Sequence, residues 1–132
     1  MVKILDASAL VTYLWKQPGY EKVQDLLGMA AESERRLLMT TVNFGEVYYL
    51  LARDHGLEGA DKILQFIETL PIDFIAADLE LTKIAAIYKV TKNLPYADCF
   101  AAGLAKLKKG ELITADKDFK MVEEDIKVSW LI

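Results

Sequence analysis

The chain has 132 residues, of which 53% are hydrophobic and 27% charged, and its formal net charge is −4. This composition excludes a disordered chain and predicts a single folded domain over residues 1–132. The acidic balance disfavours a protein that holds nucleic acid mainly through a basic surface, although carboxylates that bind divalent cations would reverse the local charge.

The start of the chain and its cysteine content predict the compartment. No apolar run approaches the roughly 20 residues that span a bilayer, and the first residues lack the apolar stretch of a signal peptide. Cys99 is the only cysteine and stands in an apolar segment, so we expect a buried thiol in a reducing environment. These features predict a cytoplasmic protein without membrane association.

The first elements alternate between strand and helix. The apolar run at residues 2–5 predicts a buried strand, and Ser8 is placed to cap a helix over residues 9–15. Pro18-Gly19 interrupts that helix, and a second one with a single apolar stripe begins near Glu21.

The alternation continues to the end of the chain. Further strands are predicted at residues 37–39, 72–76, 112–114 and 128–131, and further helices at 40–54 (capped by Thr40 or Thr41 and closed by His55-Gly56), at 57–67, after Asp78, from Pro95 to about Lys109, and at 119–122. Strands alternating with helices predict a three-layer α/β/α fold with a mostly parallel sheet of four or five strands.

Three carboxylates stand alone in otherwise apolar segments. Asp6, Glu46 and Asp98 are each the only charged residue in a stretch of at least 12 residues. A carboxylate buried alone needs a cation, hydrogen-bond donors or a raised pKa to be tolerated, and no Lys or Arg lies in these segments. A common metal pocket is one explanation of all three.

Two more acids follow a predicted strand. Asp116 and Asp118 come after residues 112–114, as Asp6 comes after the first strand, and ligands in open α/β sheets bind at the carboxyl ends of strands. Each acid also has an ordinary explanation: Asp6 and Asp116 as helix caps, Asp98 as an acid favoured by a helix dipole, and Glu46 as a side chain that reaches solvent. Only a shared pocket explains them together.

Three polar residues are candidates for supporting roles. Asn43 and Glu46 are three residues apart and share a helix face, so the Asn43 amide is predicted to orient the Glu46 carboxylate. The hydroxyls of Ser8 and Thr114 could serve likewise. For these two residues, a helix cap and a strand-end position are equally good explanations.

In this order, these segments resemble the PIN domain family, and within it the VapC-like ribonuclease toxins of prokaryotic toxin–antitoxin pairs. The matching segments are Asp6-Ala7-Ser8-Ala9-Leu10, Asn43-Phe44-Gly45-Glu46-Val47, Tyr96-Ala97-Asp98-Cys99-Phe100-Ala101-Ala102 and Thr114-Ala115-Asp116-Lys117-Asp118-Phe119. The resemblance implies that Asp6, Glu46, Asp98 and Asp116 form the family's acidic quartet, with Asp118 as an auxiliary acid. It also implies an antitoxin partner and a homodimer.

The resemblance implies metal-dependent hydrolysis of RNA phosphodiesters with Mg²⁺ or Mn²⁺. An all-acid pocket suits these hard cations, so His55 is not needed as a ligand and a zinc site is not expected. We predict that Asp6, Asp98 and Asp116 hold the metal, and that Glu46 binds or orients a second ion or the attacking water.

Three competing functions are weighed against these residues, and the first of them is disfavoured. A haloacid-dehalogenase-like phosphatase would need Asp-x-Asp after the first strand, where this chain has Ser8. A solitary PIN-type RNA-processing nuclease and a non-catalytic acidic docking module both fit the pattern of acids. A docking module would respond neither to metal nor to a chelator.

Cationic and aromatic residues carry less specific signals. Lys106, Lys108, Lys109, Lys117 and Lys120 could guide an RNA backbone, but solvated lysines near a helix end are the more common explanation. Trp15, Tyr48, Tyr49 and Tyr96 could stack on bases or fill an antitoxin groove, but aromatic residues at helical spacing are more often core. Exposed apolar surface for a partner is predicted on the helices at residues 23–31 and 43–52.

Overall fold

The computed structural model describes residues 1–132 and contains five strands, five α-helices and one 3-10 helix. In chain order they are β1 (Lys3–Leu5), α1 (Ala7–Leu14), α2 (Tyr20–Ser33), β2 (Leu37–Thr40), α3 (Thr41–Ile67), β3 (Ile72–Ile75), α4 (Leu79–Lys92), α5 (Tyr96–Lys108), β4 (Glu111–Thr114), the 3-10 helix (Lys117–Val122) and β5 (Lys127–Trp130). The predicted alternation is confirmed, with strand bounds shifted by one residue in most cases.

The five strands form one parallel sheet in the order β3-β2-β1-β4-β5. From β1 the chain winds outward through β2 to β3, and then crosses back to add β4 and β5 on the other side of β1. The winding therefore reverses between β1 and β4, where the loops beyond the carboxyl ends of the strands leave a crevice. Asp6 follows β1 and Asp116 follows β4, so both lie at this crevice.

Helices cover both faces of the sheet, which confirms the three-layer α/β/α prediction. One apolar core lies between the sheet and helices α1, α2 and α3, and the second lies between the sheet and α4, α5 and the 3-10 helix. Alternate residues of a strand feed the two cores, as the pleat requires: Leu5 and Ile113 pack in the first core, Ile4 and Leu112 in the second.

One predicted helix cap is wrong. Ser8 was expected to cap a helix beginning at residue 9, but α1 begins at Ala7 and its N-cap is Asp6, whose carboxylate accepts a hydrogen bond from the Ala9 N–H at 2.9 Å. The extended strand conformation ends at Asp6, so Ser8 falls inside the first turn and its hydroxyl turns back to the Asp6 carboxylate. The caps of α3 by Thr40 and of α4 by Asp78 are confirmed.

Helix α3 contains the break that the sequence predicts at His55-Gly56. Thr41–Ile67 consists of two helical parts that meet at a kink, because Gly56 adopts the non-helical angles φ 74° and ψ 170°. Glycine tolerates this positive φ without a steric penalty. The Tyr48 hydroxyl donates a 2.6 Å hydrogen bond to Asp61 Oδ1 and thereby links the two halves of α3 across the kink.

Cys99 lies fully buried in the second core, with Sγ 3.6 Å from the Leu94 carbonyl oxygen, which confirms the predicted buried thiol. None of the helices is both long enough and apolar enough to cross a membrane.

Candidate metal centre

A hydrogen-bond network fixes Asp6 at the carboxyl edge of the sheet. The Thr114 hydroxyl at the end of β4 donates to Asp6 Oδ2 at 2.6 Å, and the Ser8 hydroxyl lies 2.8 and 2.9 Å from the two Asp6 oxygens. The backbone N–H of Ala115 donates to Ser8 Oγ at 3.0 Å, and that of Asp116 donates to Thr114 Oγ1 at 2.9 Å. The same two hydroxyls therefore join the loops after β1 and β4.

Asp98 enters the crevice from the first turn of α5. Asn43, which is fully buried at the start of α3, ties this turn to the sheet. Its Oδ1 accepts a 2.5 Å hydrogen bond from the Thr40 hydroxyl, and its amide donates to the Ala97 carbonyl at 3.1 Å. The residue that precedes Asp98 is thus anchored to the N-terminal end of α3, and this anchor holds Asp98 over the edge of the sheet.

The tightest group of acids consists of Asp98, Asp116 and Asp118. Carboxylate oxygens from these three side chains all lie within 4.8 Å of one another. Asp98 is buried, Asp116 is half-buried and Asp118 is exposed, so the group opens to solvent on one side. Three oxygen donors at this spacing suit a hard divalent cation that retains several waters.

Glu46 and Asp6 lie close enough to the group to be coupled to it by charge. Burial raises the pKa of Asp98 to about 8, and the charges of Asp116, Asp6, Glu46 and Asp118 contribute to this rise in that order. Burial and then Asp116 also raise the pKa of Glu46. Burial raises the pKa of Asp6 to about 6, against the hydrogen bonds from Thr114, Ser8 and Ala9 that lower it. Five acids therefore share one electrostatic environment.

Another buried acid shows how the protein stabilises a carboxylate with its own cations. Glu111 begins β4 at the opposite, amino edge of the sheet, and it accepts from Lys3 at 2.8 Å and Lys127 at 3.1 Å. Burial raises its pKa, but the two lysines outweigh burial and leave the pKa below its ordinary value. The crevice acids form no salt bridge with Lys or Arg. No cationic side chain of the protein therefore balances their charge.

The structure brings all five predicted acids to one crevice, but the three that lie closest together are not the three predicted to hold the metal. The compact group contains Asp118, the predicted auxiliary acid, rather than Asp6. Asp6 and Asp116 also serve as helix N-caps. These two acids therefore cap helices, as their ordinary explanation predicts, and also lie at the crevice shared with the other acids.

The predicted role of the Asn43 amide is wrong. Its hydrogen bonds go to Thr40 and Ala97 and none goes to Glu46, because the start of α5 packs against this end of α3 and presents a carbonyl that needs a donor. Sequence reasoning missed this contact because Asn43 and Ala97 are 54 residues apart. It missed Glu111 for the same reason, since its lysines come from other strands.

Some of the predicted lysines and aromatic residues pack against other side chains, and others are exposed. Lys106 lies 5.7 Å from the centre of the Tyr88 ring, so it packs between α4 and α5. Tyr96 makes an edge contact with Phe100. Met29 on α2 and Tyr49 on α3 are exposed, which places some apolar surface on the two helices where the sequence predicts it.

Three comparisons with known proteins bear on this geometry. A family model described as PIN domain matches residues 3–125. Ribonuclease VapC30 of Mycobacterium tuberculosis (strain ATCC 25618 / H37Rv) is 27% identical over 124 residues, which cover 89% of this chain and 92% of that protein. VapC ribonuclease Mb0640 of Mycobacterium bovis (strain ATCC BAA-935 / AF2122/97) matches with the same identity and coverage.

Solved structures share the fold at low identity. VapBC2 from Rickettsia felis, bound to a DNA fragment from its promoter, superposes with a TM-score of 0.77 at 16% identity and covers 98% of both chains. The DNA-bound VapBC from Salmonella typhimurium gives a TM-score of 0.76 at 13% identity, covering 100% of this chain and 99% of that one. At this identity the likeness shows a common fold.

Proposed function

This chain belongs to the PIN domain family, and from that membership we propose that it is a divalent-metal-dependent endoribonuclease, the toxin of a toxin–antitoxin pair. The observation that carries the proposal is the crevice between β1 and β4, where five carboxylates gather without a neutralising Lys or Arg. Its curated relatives at 27% identity are named as ribonucleases of the VapC type, which supports RNA as the substrate.

The proposed ligand set follows from the positions of the acids. Asp98, Asp116 and Asp118 supply the closest oxygens for Mg²⁺ or Mn²⁺, and Asp6 completes the site from the end of β1. A divalent ion bound there would supply charge neutralisation at the scissile phosphate and a water of lowered pKa. Both cations accept carboxylate oxygens, so either fits the donor set.

The remaining residues position these groups. Ser8 and Thr114 hold the Asp6 carboxylate in one orientation, and Asn43 holds the turn that carries Asp98. Glu46 is half-buried on α3 and is coupled by charge to Asp116, which supports a role for its carboxylate in orienting the attacking water. Catalytic roles for Asp6, Glu46, Asp98 and Asp116 are part of this proposal.

The proposed partners are an RNA substrate, an antitoxin protein and a second copy of the chain. Their support is the likeness to structures described as VapBC and as a toxin–antitoxin complex from Klebsiella pneumoniae. A cytoplasmic location completes the proposal, since the only cysteine is a buried free thiol and RNA is the substrate.

Cleavage of RNA by the purified chain tests this function. Single-stranded RNA should be cut internally with Mn²⁺ or Mg²⁺ and left intact with EDTA. Asp98→Asn keeps the side-chain shape but removes a ligand charge, so cleavage should fall by about a hundredfold or more. Asp25→Asn is the matched control, because Asp25 is exposed on α2. Cleavage that survives both EDTA and Asp98→Asn would refute the assignment.

A further inference from the structure

A second cavity lies away from the acidic crevice, between the end of α1, the start of α2 and the second half of α3. Its volume is about 720 Å³, and it lies on the face of the sheet covered by the first apolar core. Its lining is rich in rings: Tyr13, Trp15, Tyr20, His55 and Phe66. We call it the aromatic pocket. The proposed metal chemistry uses none of these residues.

Two rings of the aromatic pocket are arranged to accept a planar group. The rings of Trp15 and His55 are within 19° of parallel, and their centroids are 6.4 Å apart. This separation lies within the range of a direct, offset aromatic pair. Trp15 is half-buried and His55 is exposed, so part of the aromatic surface of the pair is open to solvent and can contact another planar ring.

The charged residues that line the aromatic pocket are both cationic and favour an anionic ligand. Lys16 and Lys62 belong to the lining and no acidic residue does, although the whole chain has a net charge of −4. Lys16 has no ion pair, and Lys62 has only an exposed contact with Glu58 at 3.9 Å. The Lys16 ammonium is therefore free for a phosphate, and the long, exposed contact of Lys62 with Glu58 is weak enough to be exchanged for one. Proteins that bind single-stranded nucleic acid combine aromatic faces with cationic side chains in this way.

We propose that the aromatic pocket binds an unpaired nucleotide of the RNA substrate, with its base against Trp15 and His55 and its phosphate near Lys16 and Lys62. The choice of RNA as the ligand rests on the proposed function. A base that is free of pairing exposes both faces for stacking, whereas a base in a duplex does not. The aromatic pocket therefore predicts a preference for single strands.

The geometry of the fold connects this nucleotide to the site of cleavage. Helix α1 runs from Ala7, directly after Asp6, to Leu14, directly before Trp15, so its length of about 12 Å separates the acids from the aromatic pocket. Helix α3 makes the same connection, with Glu46 near its start and His55 at its kink. A strand of RNA with its scissile phosphate at the acids could place a flanking base in the pocket.

Binding of fluorescein-labelled RNA, measured by anisotropy in EDTA, tests the proposal without cleavage. A short single-stranded oligoribonucleotide should bind at least about tenfold more tightly than an abasic oligomer of equal length. Trp15→Leu and His55→Ala should each weaken binding by about tenfold to a hundredfold, and Trp15→Phe should keep most of it. His55 is exposed, so its replacement tests the pocket even if a Trp15 variant fails to fold.

A charge-reversal pair provides the matched control. Lys62→Glu should weaken binding and reduce its salt dependence, whereas Lys83→Glu should change neither, because Lys83 is exposed on α4 at the opposite face of the sheet. Equal affinity for the abasic oligomer, or unchanged affinity in both Trp15→Leu and His55→Ala, would overturn the proposal and leave the cavity to a protein partner.

The two proposals fail in different ways. Base-dependent binding by a chain that never cleaves RNA with Mn²⁺ would refute the nuclease function and leave the aromatic pocket standing. Normal cleavage with an unchanged KM in Trp15→Leu and His55→Ala would refute the role of the pocket and leave the nuclease function standing.

Discussion

Replacement of Asp98 by Asn should stabilise the metal-free protein and destroy its response to metal. Asp98 is buried among four other acids, and its pKa of about 8 shows that the folded protein disfavours its ionised form. Asparagine has nearly the same shape and carries no charge, so the variant removes this unfavourable interaction. If Asp98 served only to stabilise the fold, its replacement would instead lower the stability of the metal-free protein.

The size of the effect follows from the pKa. At pH 7 the unfolded carboxyl, with an ordinary pKa of 3.8, is ionised, whereas the folded one is mostly protonated. The difference between pH 7 and this ordinary value corresponds to at most about 4 kcal/mol. Solvent reaches the open side of the group and screens the repulsion, so we expect about 1–2 kcal/mol. For a chain of this length that is an increase in Tm of roughly 3–8 °C.

Thermal unfolding with and without Mn²⁺ measures both parts of the prediction. In EDTA the Asp98→Asn variant should melt above the wild type. With Mn²⁺ at a hundred times its Kd, the wild type should gain about 2.7 kcal/mol and the variant little or nothing, so that the order of the two Tm values reverses. Asp25→Asn should follow the wild type in both conditions. If the metal-free variant melts well below the wild type, the Asp98 carboxyl does not destabilise the folded protein and the prediction is wrong.

Three further predictions concern other parts of the same network. In EDTA, stability should fall as pH rises from about 4 to 8, because the folded pKa values of Asp6, about 6, and Asp98, about 8, lie above their ordinary value and stability is lost as each group ionises; melting curves that improve across this range would contradict it. Glu111→Gln should lower the free energy of unfolding at pH 7 by roughly 1–3 kcal/mol, because it removes the charge that both lysines pair with. The pKa of Glu111 is lowered, so the wild type is more stable than the variant above the ordinary value of 4.5 and loses this advantage as pH falls below it. Urea unfolding at several pH values would measure the difference. The affinity for Mn²⁺ should not change in this variant. Asn43→Ala should weaken Mn²⁺ binding by about tenfold, since the turn that carries Asp98 loses its hydrogen bond through Ala97, and calorimetry that finds unchanged affinity would refute this positioning role.

The sequence predicts the acids of the crevice because burial of charge is physically restricted. Asp6, Glu46 and Asp98 stand in apolar segments, and such residues must meet a cation, a set of donors or a proton. The carboxyl ends of parallel strands explain why Asp6 and Asp116 meet. The position of Asp98 relative to Glu46 could not be derived this way, because their helices cover opposite faces of the sheet. There the family resemblance supplied the expectation.

What the sequence missed depends on contacts between distant residues and on small differences in backbone conformation. Asp6 and Ser8 both have oxygens that can cap α1, and only the end point of β1 decides that Asp6 does so. Asn43 meets the Ala97 carbonyl only because α3 and α5 pack together at the edge of the sheet. The break at Gly56, by contrast, is predictable from the residue alone, because only glycine adopts its backbone angles without strain.

The most direct test of the metal centre is a crystal structure of the protein with Mn²⁺, with anomalous scattering used to locate the ion. We expect an anomalous peak bounded by carboxylate oxygens of Asp98, Asp116 and Asp118, with Asp6 and Glu46 facing it. An ion bound elsewhere, or a crevice that stays free of metal at saturating Mn²⁺ while the five acids turn towards solvent, would contradict it.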